Sequence, residues 1–573
     1  MIIRVGLAQI NTTVGDIEYN LAKIKEYINK AKDRDVDIIV FPELTITGYP
    51  PEDLLYRVDF VKENLSALET IKDYTSDSDI IVIVGFVDFD TELYNAAAVI
   101  QNGELIGIHK KNHLPNYTVF DERRYFSAGN DSLVLTNGRI KLGVNICEDI
   151  WVPAGPGHDQ TKFGASLLLN LSASPYISEK HFSRLKLLQT RANEYSCAIG
   201  YCNQVGGQDE LVFDGRSLIA LPNGKTYVAA DFEEELLIGD IDPYDAITMN
   251  LLEGKRKSYT IFRGVNEKKI SFKGKSKQEY IPDYKEPAWH REEETFKALV
   301  LGLKDYLVKN EFKKVALGLS GGLDSSLVAC LATEAIGNEN VVGVFMPSEY
   351  TTEQSKEDAM KLAENLGINT LTVPINKINS LYLSSLNEFF ANTKSDVTEE
   401  NIQSRIRANI LMALSNKFNW MILATGNKSE LATGYGTLYG DMAGGFAPLK
   451  DVYKTEVLKL AGFYNRFKES KIIPESIIEK PPSAELKPGQ KDEDILPPYH
   501  VLDTILNFFF EERFSPEEIA ERGIDIGITR EVLTRIKNSE FKRKQYCAGT
   551  KISRCSFGKD WRMPITSGYR KKF

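Results

Sequence analysis

No Cys-x-x-Cys pair occurs in this chain, and no histidine stands at zinc-finger spacing from any of its six cysteines, Cys147, Cys197, Cys202, Cys330, Cys547 and Cys555. That absence excludes the common structural zinc sites. Apolar runs of about 18 residues, the length a bilayer-spanning helix needs, are also missing, so no membrane partner is expected. The start, MIIRVGLAQI, passes straight into a strand-like run without the basic region and small-residue cleavage site of a secretory leader. Unpaired thiols and no leader point to a reducing, cytoplasmic compartment. Positive charge is in deficit, with 70 Lys and Arg against 80 Asp and Glu and a net charge of −10. That balance argues against a general nucleic-acid binder. Internal repeats and low-complexity tracts are absent. What is present is ordinary for a globular enzyme of several domains: 573 residues, 42% hydrophobic and 26% charged.

Two α/β halves are visible. In residues 1–240 the short runs Val5–Ile10, Val36–Phe41, Ile80–Val84, Leu142–Cys147, Leu167–Leu171 and Ala198–Tyr201 read as buried strands. Asn20–Arg34 and Phe182–Tyr195 read as helices between them. Residues 241–290 lose this periodicity and contain Lys273-Gly274-Lys275-Ser276-Lys277 and the Pro282–Pro287 stretch, which reads as a linker. From Glu292–Lys309 onward helices alternate with the parallel-type strands Val315–Leu319, Val341–Met346, Leu371–Val373 and Met421–Thr425. That pattern predicts a doubly wound sheet over 291–573, with ligands at the carboxyl ends of its strands. The end of the chain, from Lys542, is basic, with Asp560 its only acid; it fits either a solvated basic end or a surface for a polyanionic small ligand.

Residues 318–326, GLSGGLDSS, join an apolar strand to a helix. A glycine-rich turn at that junction gathers backbone N–H groups at a helix N-terminus, a ready site for phosphate. Gly318, Ser320, Gly321, Gly322, Ser325 and Ser326 form the cradle. Asp324 supplies a carboxylate for a hydrated Mg²⁺. The Gly-Lys-Ser/Thr of a Walker loop is missing. SGGLDSS resembles the pyrophosphate loop of the ATP pyrophosphatase family, which implies adenylation of a substrate oxygen, loss of pyrophosphate and displacement of AMP.

Three strand ends in the first half carry reactive side chains. They are Phe41-Pro42-Glu43, Lys111-Asn112-His113-Leu114-Pro115-Asn116-Tyr117 with Phe120-Asp121-Glu122 after it, and Asn145-Ile146-Cys147-Glu148-Asp149. Residues 1–240 with these motifs resemble the nitrilase/amidase superfamily, an α/β sandwich whose site uses one Glu, one Lys and one Cys. Thiolate attack on an amide needs a base to take the thiol proton and a cation beside the developing oxyanion. Glu43 and Cys147 take the first two parts. Lys110 and Lys111 compete for the third, and the family's Lys-x-His-Leu-Pro spacing selects Lys111. The resemblance further implies that Tyr117, Glu148, Ser174 and Lys180 hold the substrate, while His113 is structural.

The second half continues with Asn401-Ile402-Gln403-Ser404-Arg405, Thr425-Gly426-Asn427-Lys428-Ser429-Glu430, Gly440-Asp441, Lys450-Asp451-Val452-Tyr453-Lys454 and Lys542-Arg543-Lys544-Gln545. These motifs resemble the NAD synthetase family across about 290–573. After Gln545 the chain reads Tyr546-Cys547-Ala548-Gly549, a departure from the family's Pro-rich turn. The resemblance places Met346 and Thr425 at ATP, and Arg405, Glu430, Asp441, Lys454 and Lys542 at deamido-NAD, with Asp324 and Glu430 sharing Mg²⁺. Together the halves resemble the glutamine-dependent NAD synthetases. Implied are L-glutamine, ATP and deamido-NAD as substrates, an adenylate intermediate, internal passage of ammonia and a homo-oligomer. Amidotransferases that make GMP or asparagine resemble other glutaminases.

Overall fold

The computed structural model describes residues 2–271, 280, 290–487 and 489–568. The chain divides into two compact units, Met1–Gln208 with Val212–Ala288, and Asp209–Leu211 with Trp289–Phe573.

The first unit is built on two sheets. One runs in the order Glu235–Ile241, Ile3–Gln9, Ile38–Val40, Ile81–Phe89, Leu93–Gln101 and Glu104–Lys110. The other runs Thr226–Val228, Leu218–Ala220, Ala198–Asn203, Leu167–Ser172, Lys141–Ile146, Asp131–Thr136 and Gly264–Lys269. Alternate residues of both sheets share one core, among them Val5, Leu7, Val40 and Ile83 from the first and Leu142, Val144, Leu169 and Leu171 from the second. Period-two alternation turns the intervening residues outward. On the second sheet these meet a helix: Leu168, Ile199 and Tyr201 pack with Leu188 and Ala192 of the helix Lys180–Glu194 and with Tyr195, which caps its end. Apolar residues on both sheet faces explain why these strands read as continuous hydrophobic runs.

Part of the span expected as a linker carries regular structure. Pro243–Glu253 is a helix capped by Asp242, and Gly264–Lys269 adds a parallel edge strand beside Asp131–Thr136. This strand reads Gly-Val-Asn-Glu-Lys-Lys and is largely exposed, so it shows no hydrophobic pattern. The Lys273–Lys277 and Pro282–Pro287 motifs lie outside the described residues.

In the second unit a four-stranded parallel sheet runs in the order Asn369–Thr372, Val341–Phe345, Val315–Gly318, Met421–Leu423. Strand order reverses between Val315–Gly318 and Met421–Leu423, the switch point at which open α/β sheets form their ligand crevice. A helical region follows, with Leu502, Ile505, Leu506 and Phe510 packed on Val532, Leu533 and Ile536.

Glycine is required where backbones nearly touch. A Cβ on Gly85 would fall 2.4 Å from Leu44 N and 2.5 Å from Pro42 O, inside the turn that carries Glu43. One on Gly321, whose φ is +75°, would fall 2.2 Å from Ser355 O. Gly85→Ala is expected to lower the unfolding free energy by about 1–3 kcal/mol. Gly264→Ala, where a methyl meets nothing within 4 Å, should leave it unchanged. Denaturant midpoints of the two variants check this.

Candidate active sites

Two strand ends and a 3-10 turn of the first unit meet at one buried ammonium. Lys111 follows the strand Glu104–Lys110, and its Nζ donates to Glu43 Oε1 at 2.6 Å and to both oxygens of Glu122 at 2.8 Å. Asn95 Nδ2 also donates to Glu43 Oε1, at 2.7 Å, and Tyr49 OH donates to Glu122 Oε1 at 3.0 Å. The backbone N–H of Ala173 donates to Glu43 Oε2 at 3.1 Å. Lys111 and Glu43 are 0% and 1% exposed, so water does little to screen the cluster. Burial works against the Lys111 ammonium, but Glu122 and Glu43 outweigh it and raise its pKa well above lysine's ordinary value. Burial pushes the Glu122 carboxyl up to about 7, even against the pull of Lys111. Lys110 turns elsewhere, with its Nζ over the Tyr94 ring and 3.4 Å from Asp88 Oδ2.

Cys147 begins a short 3-10 turn immediately after the strand Lys141–Ile146, and its φ is +41°. An L-residue held in the left-handed region costs energy that its surroundings must offset. Here the offset is Asp149, which is 1% exposed. Its carboxylate accepts from the N–H groups of Ile146 (3.1 Å), Asn112 (3.1 Å) and His113 (2.9 Å), and lies 3.0 Å from His109 Nε2. One side chain thus ties the cysteine turn to the lysine loop. Burial, then the Glu43 carboxylate, pushes the Cys147 thiol far above its ordinary pKa, so the resting sulfur is protonated.

A groove of ≈610 Å³ opens beside this cluster, lined by Asn112, Leu114, Tyr117, Arg123, Phe126 and Glu148 among others. Tyr117 OH donates to Glu148 Oε2 at 2.9 Å. Ser174 is buried, its N–H donating to Asn203 Oδ1 at 2.9 Å. Lys180 donates to the Pro175 carbonyl at 3.2 Å. His113 stands apart from the Glu-Lys-Cys cluster, with its Nε2 3.1 Å from Arg263 Nη2.

In the second unit the SGGLDSS loop leads from the strand Val315–Gly318 into the helix Leu323–Ile336. The loop is closed by its own hydroxyls. Gly322 N donates to Ser320 Oγ at 3.2 Å, and the Ser325 and Ser326 hydroxyls donate to Gly322 O at 3.0 and 2.7 Å. Across the switch point, Thr425 follows the strand Met421–Leu423, and Glu430 lies in the first turn of Lys428–Thr433. Lys454 Nζ contacts Asp324 Oδ2 and lies 3.9 Å from Glu430 Oε1, while Asn427 Nδ2 donates to Asp324 Oδ1 at 3.0 Å. Burial and then Asp324 raise the Glu430 carboxyl well above its usual range. Asp324, Glu430 and Lys454 therefore meet at one point.

Other sequence-expected residues stand further out. Asp441 Oδ1 accepts from Ser404 Oγ and Thr437 N, both at 2.8 Å, and Arg405 is exposed with its Nε on Leu438 O at 3.3 Å. Gly318 and Met346 come together across neighbouring strands, where a Gly318 Cβ would lie 3.5 Å from Met346 Cε. Lys542 donates to the carbonyls of Gly434 and Gly436, each at 2.7 Å, at the carboxyl end of the helix Lys428–Thr433.

The carbon-nitrogen hydrolase family model matches residues 4–249 and the NAD synthase family model residues 295–546. The glutamine-dependent NAD(+) synthetase of Thermotoga maritima is 50% identical over 572 residues, 99% of each chain. The chain belongs to the glutamine-dependent NAD synthetases. The Aquifex aeolicus member of this family is 47% identical over 573 residues, again 99% of each chain. Among solved structures, the glutamine-dependent NAD synthetase of Acinetobacter baumannii in complex with ADP superposes with a TM-score of 0.74 at 37% identity, covering 99% of both chains.

For a glutamine-dependent NAD synthetase, three buried residues went unassigned in the sequence. Glu122 was visible in Phe120-Asp121-Glu122 but indistinguishable from an ordinary acidic turn. Asp149 sits two residues past Cys147 with nothing local to show its four contacts. Lys428, 0% exposed, pairs with Asp451 (2.9 Å) and Glu511 (2.8 Å), and its only sequence signal is a lysine beside Glu430.

The raised Glu122 pKa has a pH signature. Unfolded, the carboxyl loses its proton near its ordinary 4.5; folded, it keeps it to about 7. Its stabilising contribution is complete below the lower value and lost as pH rises through the upper one, by at most about 3 kcal/mol. Between pH 5 and 7.5 the wild type should therefore lose stability relative to Glu122→Gln. Urea midpoints at the two pH values measure this, and parallel behaviour of the two proteins would contradict it.

Proposed function

We propose that Cys147, Glu43 and Lys111 hydrolyse glutamine, and that the crevice around Asp324, Glu430 and Lys454 uses the released ammonia to amidate deamido-NAD. The first half of the reading rests on a buried ammonium shared by two carboxylates next to a protonated thiol. Glu43 takes the Cys147 proton as sulfur adds to the amide carbon. Lys111, pinned by Glu122, stabilises the oxyanion. Collapse of the tetrahedral species breaks the C–N bond, and Glu43 returns the proton to the leaving ammonia. Water then adds to the thioester, giving its proton to Glu43; glutamate leaves and the thiol is restored. Glu148 and Tyr117 face the groove where the amino acid end would lie, with Ser174 on the closing loop and Lys180 at the start of the helix after it.

At the second site the loop Gly318–Ser326 presents backbone N–H groups and hydroxyls to the ATP phosphates. Met346 and Thr425 end the strands on either side of Val315–Gly318 and border the nucleotide. Arg405, Asp441 and Lys542 would then line the deamido-NAD side. The nicotinate carboxylate attacks the α-phosphorus, pyrophosphate leaves, and ammonia displaces AMP to give NAD. Two carboxylates converging on one cation position suit Mg²⁺, which takes one or two carboxylates with phosphate oxygens and water. Among the described residues no group of three or more His, Cys, Asp or Glu forms a metal site. Asp324 and Glu430 would hold the ion, which when bound withdraws charge from the phosphate oxygens. Lys454 neutralises the same carboxylates and the charge of departing pyrophosphate. Six buried or half-buried free cysteines accord with a cytoplasmic setting.

Cys147→Ala should abolish glutamine-dependent NAD formation and leave ammonium-dependent formation near the wild-type rate, both followed as NAD produced. Substantial glutamine use by this variant would remove the assignment. Ammonia should also pass between the sites without mixing with the medium. At neutral pH only about 1% of an amine with a pKa two units higher is unprotonated, so release would dilute the nucleophile about a hundredfold. With unlabelled glutamine and excess ¹⁵N-ammonium, mass analysis should find the NAD amide mostly unlabelled; labelling in proportion to the bulk pool would refute internal transfer.

A further inference from the structure

Behind the loop that carries Ser174 lies a second buried ion pair. Arg184, 1% exposed, sits one turn past Lys180 in the helix Lys180–Glu194. Its guanidinium donates to both oxygens of Asp214 at 3.1 and 3.2 Å, to Gly215 O at 3.4 Å and to Ser174 O at 3.5 Å. Asn203 completes the arrangement, accepting from Ser174 N at 2.9 Å and donating to Ser174 O at 3.3 Å and Gly215 O at 2.8 Å. Both backbone polar groups of Ser174 are therefore held from two elements, the strand ending in Asn203 and the helix bearing Arg184, and Asp214 at the end of a third holds Arg184 in turn.

Stability alone is a weak reason for this pair. Removing a guanidinium and a carboxylate from water costs several kcal/mol each, and apolar replacements of similar volume commonly match or exceed such pairs in stability. Its geometry is better explained by what it fixes. Only the planar fork of arginine can hold one carboxylate through both terminal nitrogens, Nη1 and Nη2, while the same two nitrogens reach two carbonyls. A lysine is a single point charge and cannot do both.

We infer that Arg184 is a positioning residue for the glutamine site: with Asp214 it fixes the backbone of Ser174, and so the place of the Ser174 hydroxyl against the substrate. The inference rests on the assignment of Cys147 and Ser174 to that site. Arg184→Met alone leaves the buried Asp214 carboxylate with Arg216, 3.6 Å from its Oδ2, as its remaining cation and tests folding as much as function. The informative variants are therefore Arg184→Lys and the pair Arg184→Met with Asp214→Asn. In the pair, kcat/KM for glutamine, read as glutamate release, should fall about 10- to 100-fold, mainly through KM. Arg184→Lys should lie between the pair and the wild type. Alkylation of Cys147 by iodoacetamide, which does not use Ser174, should keep its wild-type rate and pH profile in both. Glutamine kinetics unchanged in both variants would overturn the positioning role and leave Cys147 assigned. Alkylation that slows in step with kcat/KM would also overturn it, by revealing a general disturbance. Glutamine turnover persisting in Cys147→Ala would overturn the reading beneath it.

Discussion

One buried ammonium is shared by two carboxyl groups at the centre of the first unit, and the surrounding structure is arranged to keep it so. Lys111 has no water to fall back on. Its three N–H groups are used on Glu43 and Glu122, while Asn95 and Tyr49 satisfy carboxylate oxygens. Removing Lys111 from such a cluster leaves uncompensated buried charge, which costs about 3–5 kcal/mol. The requirement sets the ends of two strands and the place of a 3-10 turn, because each must deliver its residue to one point. Gly85 follows from the same demand: its strand must lie against the Glu43 turn closely enough to exclude a side chain.

The second unit solves a different problem with the same material. Its ligand crevice follows from strand order alone, since the reversal beside Val315–Gly318 leaves two carboxyl ends without a crossing helix between them. Asp324 and Glu430 reach that gap from the first turns of two helices, where partial positive charge favours carboxylates and phosphates alike. Lys454 brings the balancing charge from the start of a third helix.

Much of this was legible in the sequence, unevenly. Apolar runs such as Leu167–Leu171 and Val341–Met346 gave their strands to within a residue or two, because burial on both faces keeps them apolar apart from Asn170. The hairpin strands Leu93–Gln101 and Glu104–Lys110 were not read, and the exposed edge strand Gly264–Lys269 was hidden in a basic, turn-like stretch. Glu43, Lys111 and Cys147 were recognisable by type and position at strand ends, and the structure brings Glu43 and Lys111 into direct contact. Side-chain direction was not legible. Nothing local separates Glu122 from Asp121, or shows that Lys180 points at a carbonyl. The basic end is neither solvated nor unpartnered throughout: Arg543 pairs with Glu540 at 2.7 Å and Lys551 with Asp560 at 2.5 Å. Pairing depends on which acids the fold carries to those lysines and arginines, and that is long-range information.

The Lys428 cluster sets an order of events during synthesis. Lys428 is fully buried and needs Asp451, Glu511 and the Ser553 hydroxyl, and Asp451 in turn accepts from the N–H groups of Ile552 and Ser553. A growing polypeptide that ended before Ser553 would hold a buried ammonium and carboxylate without their full complement of partners. Domains generally fold as units while the ribosome is still translating, the N-terminal one first. The nitrilase-like unit is free to follow that rule once its own last strand has emerged. The synthetase unit is not: its crevice residue Glu430, two positions from Lys428, gains its final support only once Ser553 has been translated. A nascent chain can thus acquire a glutamine site well before it acquires a place to use the ammonia.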